Sequence, residues 1–243
     1  MKHLDLFSGI GGFALAAKSC GFATVQFVEK DDFCKRVLGK NFPGVPIHGD
    51  ITTFSAIEGQ QVDVITAGFP CQDISQANST KARQGLEGSR SGLFFEIIRL
   101  VRQIRPRYLV LENSAALLNF RKGRDMGAIL WELSQCGYDA EWSVVSGCSV
   151  GAPHMRKRLF IVAYPNRQHG EKRMAIQLNN NRHLQAINKE SSFSVWTKSA
   201  PQPGGISNGI PNRMDRVRAL GNAVIPAVAE VALKKVLQLE AAA

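Results

Sequence analysis

Apolar and polar positions along the chain fall into two alternating textures. Short runs rich in β-branched and aromatic residues recur at 3–7, 24–29, 62–67, 108–112, 138–146 and 158–163. Between them, residues 12–20, 31–40, 93–104 and 126–136 carry apolar side chains three and four apart, the spacing that lines one face of a helix. Strands that alternate with amphipathic helices predict an α/β fold, a doubly wound and mostly parallel sheet covered on both sides.

From 165 to 212 the texture changes to Asn, Gln, Ser, Lys and Gly with few apolar runs, too polar to form core. A helical run then resumes toward Leu239, with Pro226 suited to a helix's first turn. The expected organisation is a catalytic and cofactor-binding domain over 1–164, a short variable segment over 165–212, and a C-terminal segment over 213–243 that returns to the first domain. The chain has no internal repeat.

Composition narrows the classes. The net charge of +10 favours a polyanionic partner, with nucleic acid foremost. No apolar stretch approaches the ~20 residues of a membrane span, and the N-terminus lacks a secretory pattern, so a cytoplasmic protein is expected. The five cysteines form no CxxC pair, so neither a disulfide framework nor a zinc site is expected. Cys20, Cys34, Cys136 and Cys148 read as small buried hydrophobes.

Candidate chemistry collects at the predicted strand ends. DLFSGIGGF, from Asp5 to Phe13, runs from strand through a glycine turn into a helix, where backbone amides can approach a ligand. Glu29 ends the second strand about twenty residues on, the position at which such folds receive a ribose diol. Asp50 follows a third short apolar stretch and could accept from an amino group.

DVITAGFPCQDIS brings Cys71 to the end of a buried strand through Gly68, Phe69 and Pro70. A thiol there is positioned for attack, and the polar residues from Gln72 to Arg90 read as a loop that closes over a substrate. Glu112 ends another apolar strand, where desolvation raises a carboxyl's pKa and suits it to handle a proton. Arg156 and Arg158, two apart at a strand start, share one face and can grip phosphate or a base edge.

Taken in order, DLFSGIGG, GFPCQ, LEN, the RKR strand start and RALGNAV resemble the bacterial and phage DNA cytosine carbon-5 methyltransferases, over 1–164 and 213 to about 239. The resemblance implies an enzyme with S-adenosylmethionine as cofactor and double-stranded DNA as partner, acting as a monomer without a metal. It assigns Phe7 to the adenine, Gly9 and Gly11 to the methionine portion, Glu29 to the ribose and Asp50 to the adenine amino group. Ile51, Pro70, Leu93, Asn222 and Ala223 complete the cofactor's surroundings. It makes Cys71 the nucleophile that adds to a flipped cytosine, Glu112 the partner of the ring nitrogen, and Arg156 and Arg158 the holders of the base and the closed loop.

The chain departs from the family at several points. It has Glu112, Asn113 and Ser114 where ENV is frequent, and His154 to Arg158 where QRRER is frequent. Residues 165–212 stand where relatives carry a longer target-recognition region, a shortening that resembles compact phage and prophage enzymes able to act without a restriction partner. Two other readings are a transfer-RNA cytosine methyltransferase, whose CFT-like signature is absent here, and a catalytically dead DNA-binding module, which would not need a thiol and an acid together.

Overall fold

A computed structural model describes residues 1–56, 59, 61–70, 92–166 and 213–242. Cys71, the loop 72–90 and the polar segment from 167 to 212 lie outside these residues.

The strands are β1 (Lys2–Leu6), β2 (Ala23–Val28), β3 (Ile47–His48), β4 (Val64–Gly68), β5 (Tyr108–Ser114), β6 (Tyr138–Ser146) and β7 (Lys157–Pro165). They form one sheet in the order β3-β2-β1-β4-β5-β7-β6. All pairs from β3 to β5 are parallel, whereas β7 is antiparallel to both β5 and β6. The mostly parallel, doubly wound α/β sheet is therefore present, with β7 as its one reversed strand. The helices are α1 (Gly12–Ser19), α2 (Asp32–Asn41), α3 (Leu93–Ile104), α4 (Arg124–Gln135), α5 (Arg213–Asn222) and α6 (Pro226–Ala241). The expected strands and helices lie within two residues of these bounds, and α5 is a helix that the sequence pattern did not suggest.

Alternation along the strands sorts the core into two layers. Leu4, Leu6, Ile65, Leu109, Leu111, Leu159 and Ile161 face a cluster with Phe94, Ile97, Ile98 and Val101 of α3 and Ile129 and Leu133 of α4. On the opposite face, Val64, Val110, Phe160 and Val162 meet Phe13 and Ala17 of α1 and Val228, Leu233 and Val236 of α6. A smaller cluster of Ala14, Phe27 and Leu38 seats α2 beside α1. Fully buried side chains of this size stabilise the fold by ~1.5–3 kcal/mol each, before conformational entropy is counted.

Cys34 and Cys136 are buried as expected, but Cys20 is half-buried and Cys148 is exposed. Cys148 sits in the 3-10 turn Gly147–Val150 of the β6–β7 hairpin, with its Sγ 3.0 Å from Ser146 Oγ, on the outer side of a turn whose Gly147 and Val150 are buried. Among the described residues, no helix is long and apolar enough to cross a membrane.

One polar network lies inside the core. His3 Nδ1 and Nε2 lie 2.9 and 2.8 Å from Thr24 Oγ1 and Thr66 Oγ1, and Thr66 Oγ1 donates to Asp5 Oδ1 at 2.7 Å. Asp5 Oδ2 is buried with no hydrogen-bond partner among the described residues. Burial pushes the Asp5 carboxyl up to about 7 and the His3 imidazole down to about 3. Asp5 holds its proton more tightly folded than unfolded, so its contribution to stability is greatest below pH 4 and is lost as pH rises toward 7. Asp5→Asn removes that loss. The difference in melting temperature between Asp5→Asn and wild type should rise from pH 5 to pH 8, and a pH-independent difference would refute the assignment.

Candidate active site

The carboxyl ends of β1, β2, β4 and β5 open into one cavity of about 1190 Å³. Its wall includes Phe7, Gly9, Glu29, Asp50, Ile51, Pro70, Leu93, Glu112, Arg158 and Asn222, so residues far apart in the chain meet around a single space. Gly11, Arg156 and Ala223 do not line it.

At the β1 end, Phe7 and Gly9 both take left-handed backbone conformations, with φ of 54° and 52°. For a side chain with a Cβ this is unfavourable, and it is tolerated where the surroundings determine it. Gly11 closes the turn as the N-cap of α1 at φ 89°, and a Cβ there would come 2.6 Å from the Phe42 ring. Its bareness thus serves the packing of α1 against α2.

The Glu29 carboxylate is fixed by two main-chain amides. Gly9 N donates to Oε2 at 2.6 Å and Asp31 N donates to Oε1 at 2.8 Å. Asp50 accepts from Thr52 N and Thr52 Oγ1 and pairs with Lys30 at 3.0 Å. Its hydrogen bond from the Thr52 amide, helped by Lys30, holds the Asp50 carboxyl down to about 2, so it is an anion at neutral pH. The wall therefore offers two carboxyl acceptors, an aromatic ring and an open glycine backbone.

At the β4–β5 end, Glu112 is registered opposite Gly68, and a Cβ on Gly68 would stand 3.2 Å from Glu112 Oε2. Arg158 reaches Glu112 from β7, with Nε 2.7 Å from Oε1 as an ion pair whose angle falls short of a hydrogen bond. Burial pushes the Glu112 carboxyl up, while Arg158 and then Arg156 pull it back. Arg156 lies outside the cavity wall but within electrostatic reach. Its Nη2 is buried with no hydrogen-bond partner among the described residues, and burial lowers its pKa.

Three features escaped the sequence pattern. Asn113, buried behind Glu112, donates through Nδ2 to Phe69 O at 3.4 Å and ties the LEN and GFP strand ends together. Arg218 of α5 pairs with Asp31, the N-cap of α2, at 2.5 Å and brings the C-terminal segment to the cavity. Val224 lies so close to α1 that a Cβ on Gly12 would stand 2.4 Å from its carbonyl oxygen. The amide in LEN was a visible signal for the first, but the other two join positions from opposite ends of the chain. Among the described residues, no cluster of three His, Cys, Asp or Glu could hold a metal ion.

A large cavity at parallel strand ends, continuous with a buried acid paired to a half-buried arginine, is the ligand-binding position of a doubly wound α/β fold. Residues 1–202 match the C-5 cytosine-specific DNA methylase family, and the chain belongs to that family. It is 38% identical over 167 residues to the type II methyltransferase M2.BsuMI of Bacillus subtilis, covering 67% of this chain and 42% of that protein. It is 32% identical over 202 residues to M.AquIA, a type II methyltransferase of Picosynechococcus, covering 73% of this chain and 80% of the relative. The chain thus spans less than half of the first relative's length. A crystal structure of a prophage-encoded Escherichia coli protein superposes with a TM-score of 0.58 at 26% identity, over 68% of this chain and 47% of that one.

The Gly12–Val224 contact gives a direct test of how the C-terminal segment is anchored to α1. Gly12→Ala should cost ~1–3 kcal/mol by overpacking, read as a lower melting temperature. An unchanged melting curve would mean that the 223–225 connection withdraws freely and is no fixed anchor.

Proposed function

We propose that this chain transfers a methyl group from S-adenosylmethionine to carbon 5 of cytosine in double-stranded DNA. The observation that carries the reading is the shared cavity, with the Phe7–Gly9–Glu29–Asp50 cluster at one end and the Glu112–Arg158 pair at the other. The volume of about 1190 Å³ exceeds the ~300–1,000 Å³ of an ordinary ligand pocket, which leaves room for a base beside a nucleoside.

The residues present fit the cofactor. Glu29 has lone pairs left after its two amide bonds, suited to a ribose diol, and Asp50 is an anion suited to an amino group. Phe7 and Ile51 supply apolar contact for a purine, and Gly9 has no atom within 4 Å of where its Cβ would be, which leaves its backbone approachable. Leu93, Pro70 and Asn222 complete this wall. When bound, the sulfonium cofactor supplies the electrophilic methyl group that carbon 5 takes up.

The protein's own part is to make carbon 5 reactive. Cys71 follows Pro70 of the cavity wall in the chain and acts as the thiolate that adds to carbon 6. Glu112, with its carboxyl pushed up by burial, holds a proton at ring nitrogen 3 as the addition proceeds. Arg158 keeps the carboxyl turned toward the cavity, and Arg156 adds positive potential beside it. Carbon 5 then gives up its proton to solvent, the electron pair of that bond re-forms the 5,6 double bond as the sulfur–carbon 6 bond breaks, and the thiolate is regenerated while Glu112 takes back the proton at nitrogen 3. A stacked base cannot reach this site, so the cytosine is flipped out of the duplex, at a cost of ~ a few kcal/mol.

The test is transfer of labelled methyl from S-adenosylmethionine to duplex DNA and, in parallel, to transfer RNA, with sequencing for the modified position. Product in DNA at cytosine carbon 5 is expected, and transfer confined to RNA or to neither substrate would reject the reading. Cys71→Ser should retain cofactor binding by calorimetry and lose turnover by at least ~10³-fold, the scale on which loss of a nucleophile is felt. Duplexes with 5-fluorocytosine at the target should trap a covalent complex, because fluorine cannot leave as a proton does. An active preparation that forms no such complex would exclude the addition step.

A further inference from the structure

Beside the cavity, the chain between β5 and α4 makes an unusual turn. After the 3-10 turn Ala115–Leu118, Arg121 and Lys122 take φ of 48° and 59°, and Gly123 follows at 79°. Two consecutive left-handed residues that carry long basic side chains are unfavourable in isolation, because Cβ crowds the backbone in that region. The turn is pinned from beneath, where Arg121 Nη1 lies 3.5 Å from Asp125 Oδ1 in the first turn of α4, with Asp125 buried. Lys122 and Arg124 are left exposed to solvent.

The charge around this turn is one-sided. The 115–118 turn packs against β7, which begins with Lys157 and Arg158, and the 120–123 turn packs against the 115–118 turn. Residues 113–124 and 147–158 contain no Asp or Glu. The acids that adjoin them, Glu112 and Asp125, are buried and ion-paired with Arg158 and Arg121. Exposed positive charge therefore lies close along the chain to Ser114 and Arg158 of the cavity wall, without an exposed carboxylate beside it in sequence to neutralise it.

We infer that the Arg121–Arg124 turn, together with Lys157, is a docking surface for the phosphate backbone of double-stranded DNA flanking the target base. The inference rests on the proposed function and adds where the duplex lies. Phosphate contacts carry no sequence information but fix orientation and register. A backbone held in a costly conformation presents Lys122 and Arg124 together on one exposed turn, as positioning contacts require.

The experiment measures binding of the full chain to a fluorescent duplex across a series of salt concentrations, for wild type, Lys122→Glu/Arg124→Glu and the milder Lys122→Gln/Arg124→Gln. Lys18→Glu, an exposed change at the far end of α1, controls for net charge. Each lost phosphate contact should flatten the slope of log K against log salt by ~0.9, so the double variants should lose ~1–2 units of slope and at least ~tenfold in affinity. Cofactor affinity and melting temperature should stay at wild-type values, and Lys18→Glu should bind DNA within ~twofold of wild type. Double variants that match Lys18→Glu in slope and affinity would overturn the docking surface while leaving the methylation reading intact. A slope change seen with hairpin RNA but not with duplex DNA would overturn the choice of partner. Wild type that neither methylates nor binds duplex DNA would overturn the proposed function itself.

Discussion

Beneath the cavity, the Glu112 carboxylate and the Arg158 guanidinium can sit 2.7 Å apart because β7 runs against β5. Had β7 been parallel, its basic start would lie at the amino edge of the sheet, a strand's length from the acid. Reversal instead pairs Ser114 with Arg158 and Glu112 with Phe160, and brings the only arginines of the β6–β7 hairpin to the edge where the parallel strands end. An acid at that depth needs a cation close by to be tolerated as an anion, and it needs desolvation to be useful as an acid. The arrangement supplies both, so the carboxyl is pushed up by burial and pulled back by charge.

Much of this plan was legible in the sequence, because it depends on local periodicity. The runs 3–7, 24–29 and 108–112 and the helix 93–104 each carry their own pattern, and the strand-end residues Glu29, Asp50 and Glu112 follow from where those patterns stop. What could not be read locally involves partners distant in sequence. Nothing in LFIVAYP announces that β7 is reversed, since an apolar strand looks the same in either direction. Helix α5 was also hidden, for RMDRVRALGN has no apolar stripe and is held by Arg218 on Asp31 and by its place beside the cavity. Cys148 looked like a buried thiol, but its hairpin turn buries Gly147 and Val150 and leaves the cysteine between them exposed.

The glycines of the first turn divide their tasks in a way the motif alone does not reveal. Gly9 leaves open space, Gly11 makes room for Phe42, and Gly12 makes room for the carbonyl of Val224. One faces open space on the cavity wall and two are bare for neighbouring protein. The same short sequence thus shapes the floor of the cavity and fastens both α2 and the C-terminal connection to its rim.

The two amides on Glu29 have a further effect, on selectivity. A carboxylate already immobilised by Gly9 and Asp31 has given up its rotamer freedom during folding, so a ligand that uses it pays no additional ordering entropy there. The same rigidity prevents it from turning away to solvent when the ligand lacks hydroxyls to donate. Under the proposed function, a nucleoside without the ribose diol would leave those oxygens desolvated and unanswered, and discrimination by an unfilled polar group is far steeper than discrimination by shape.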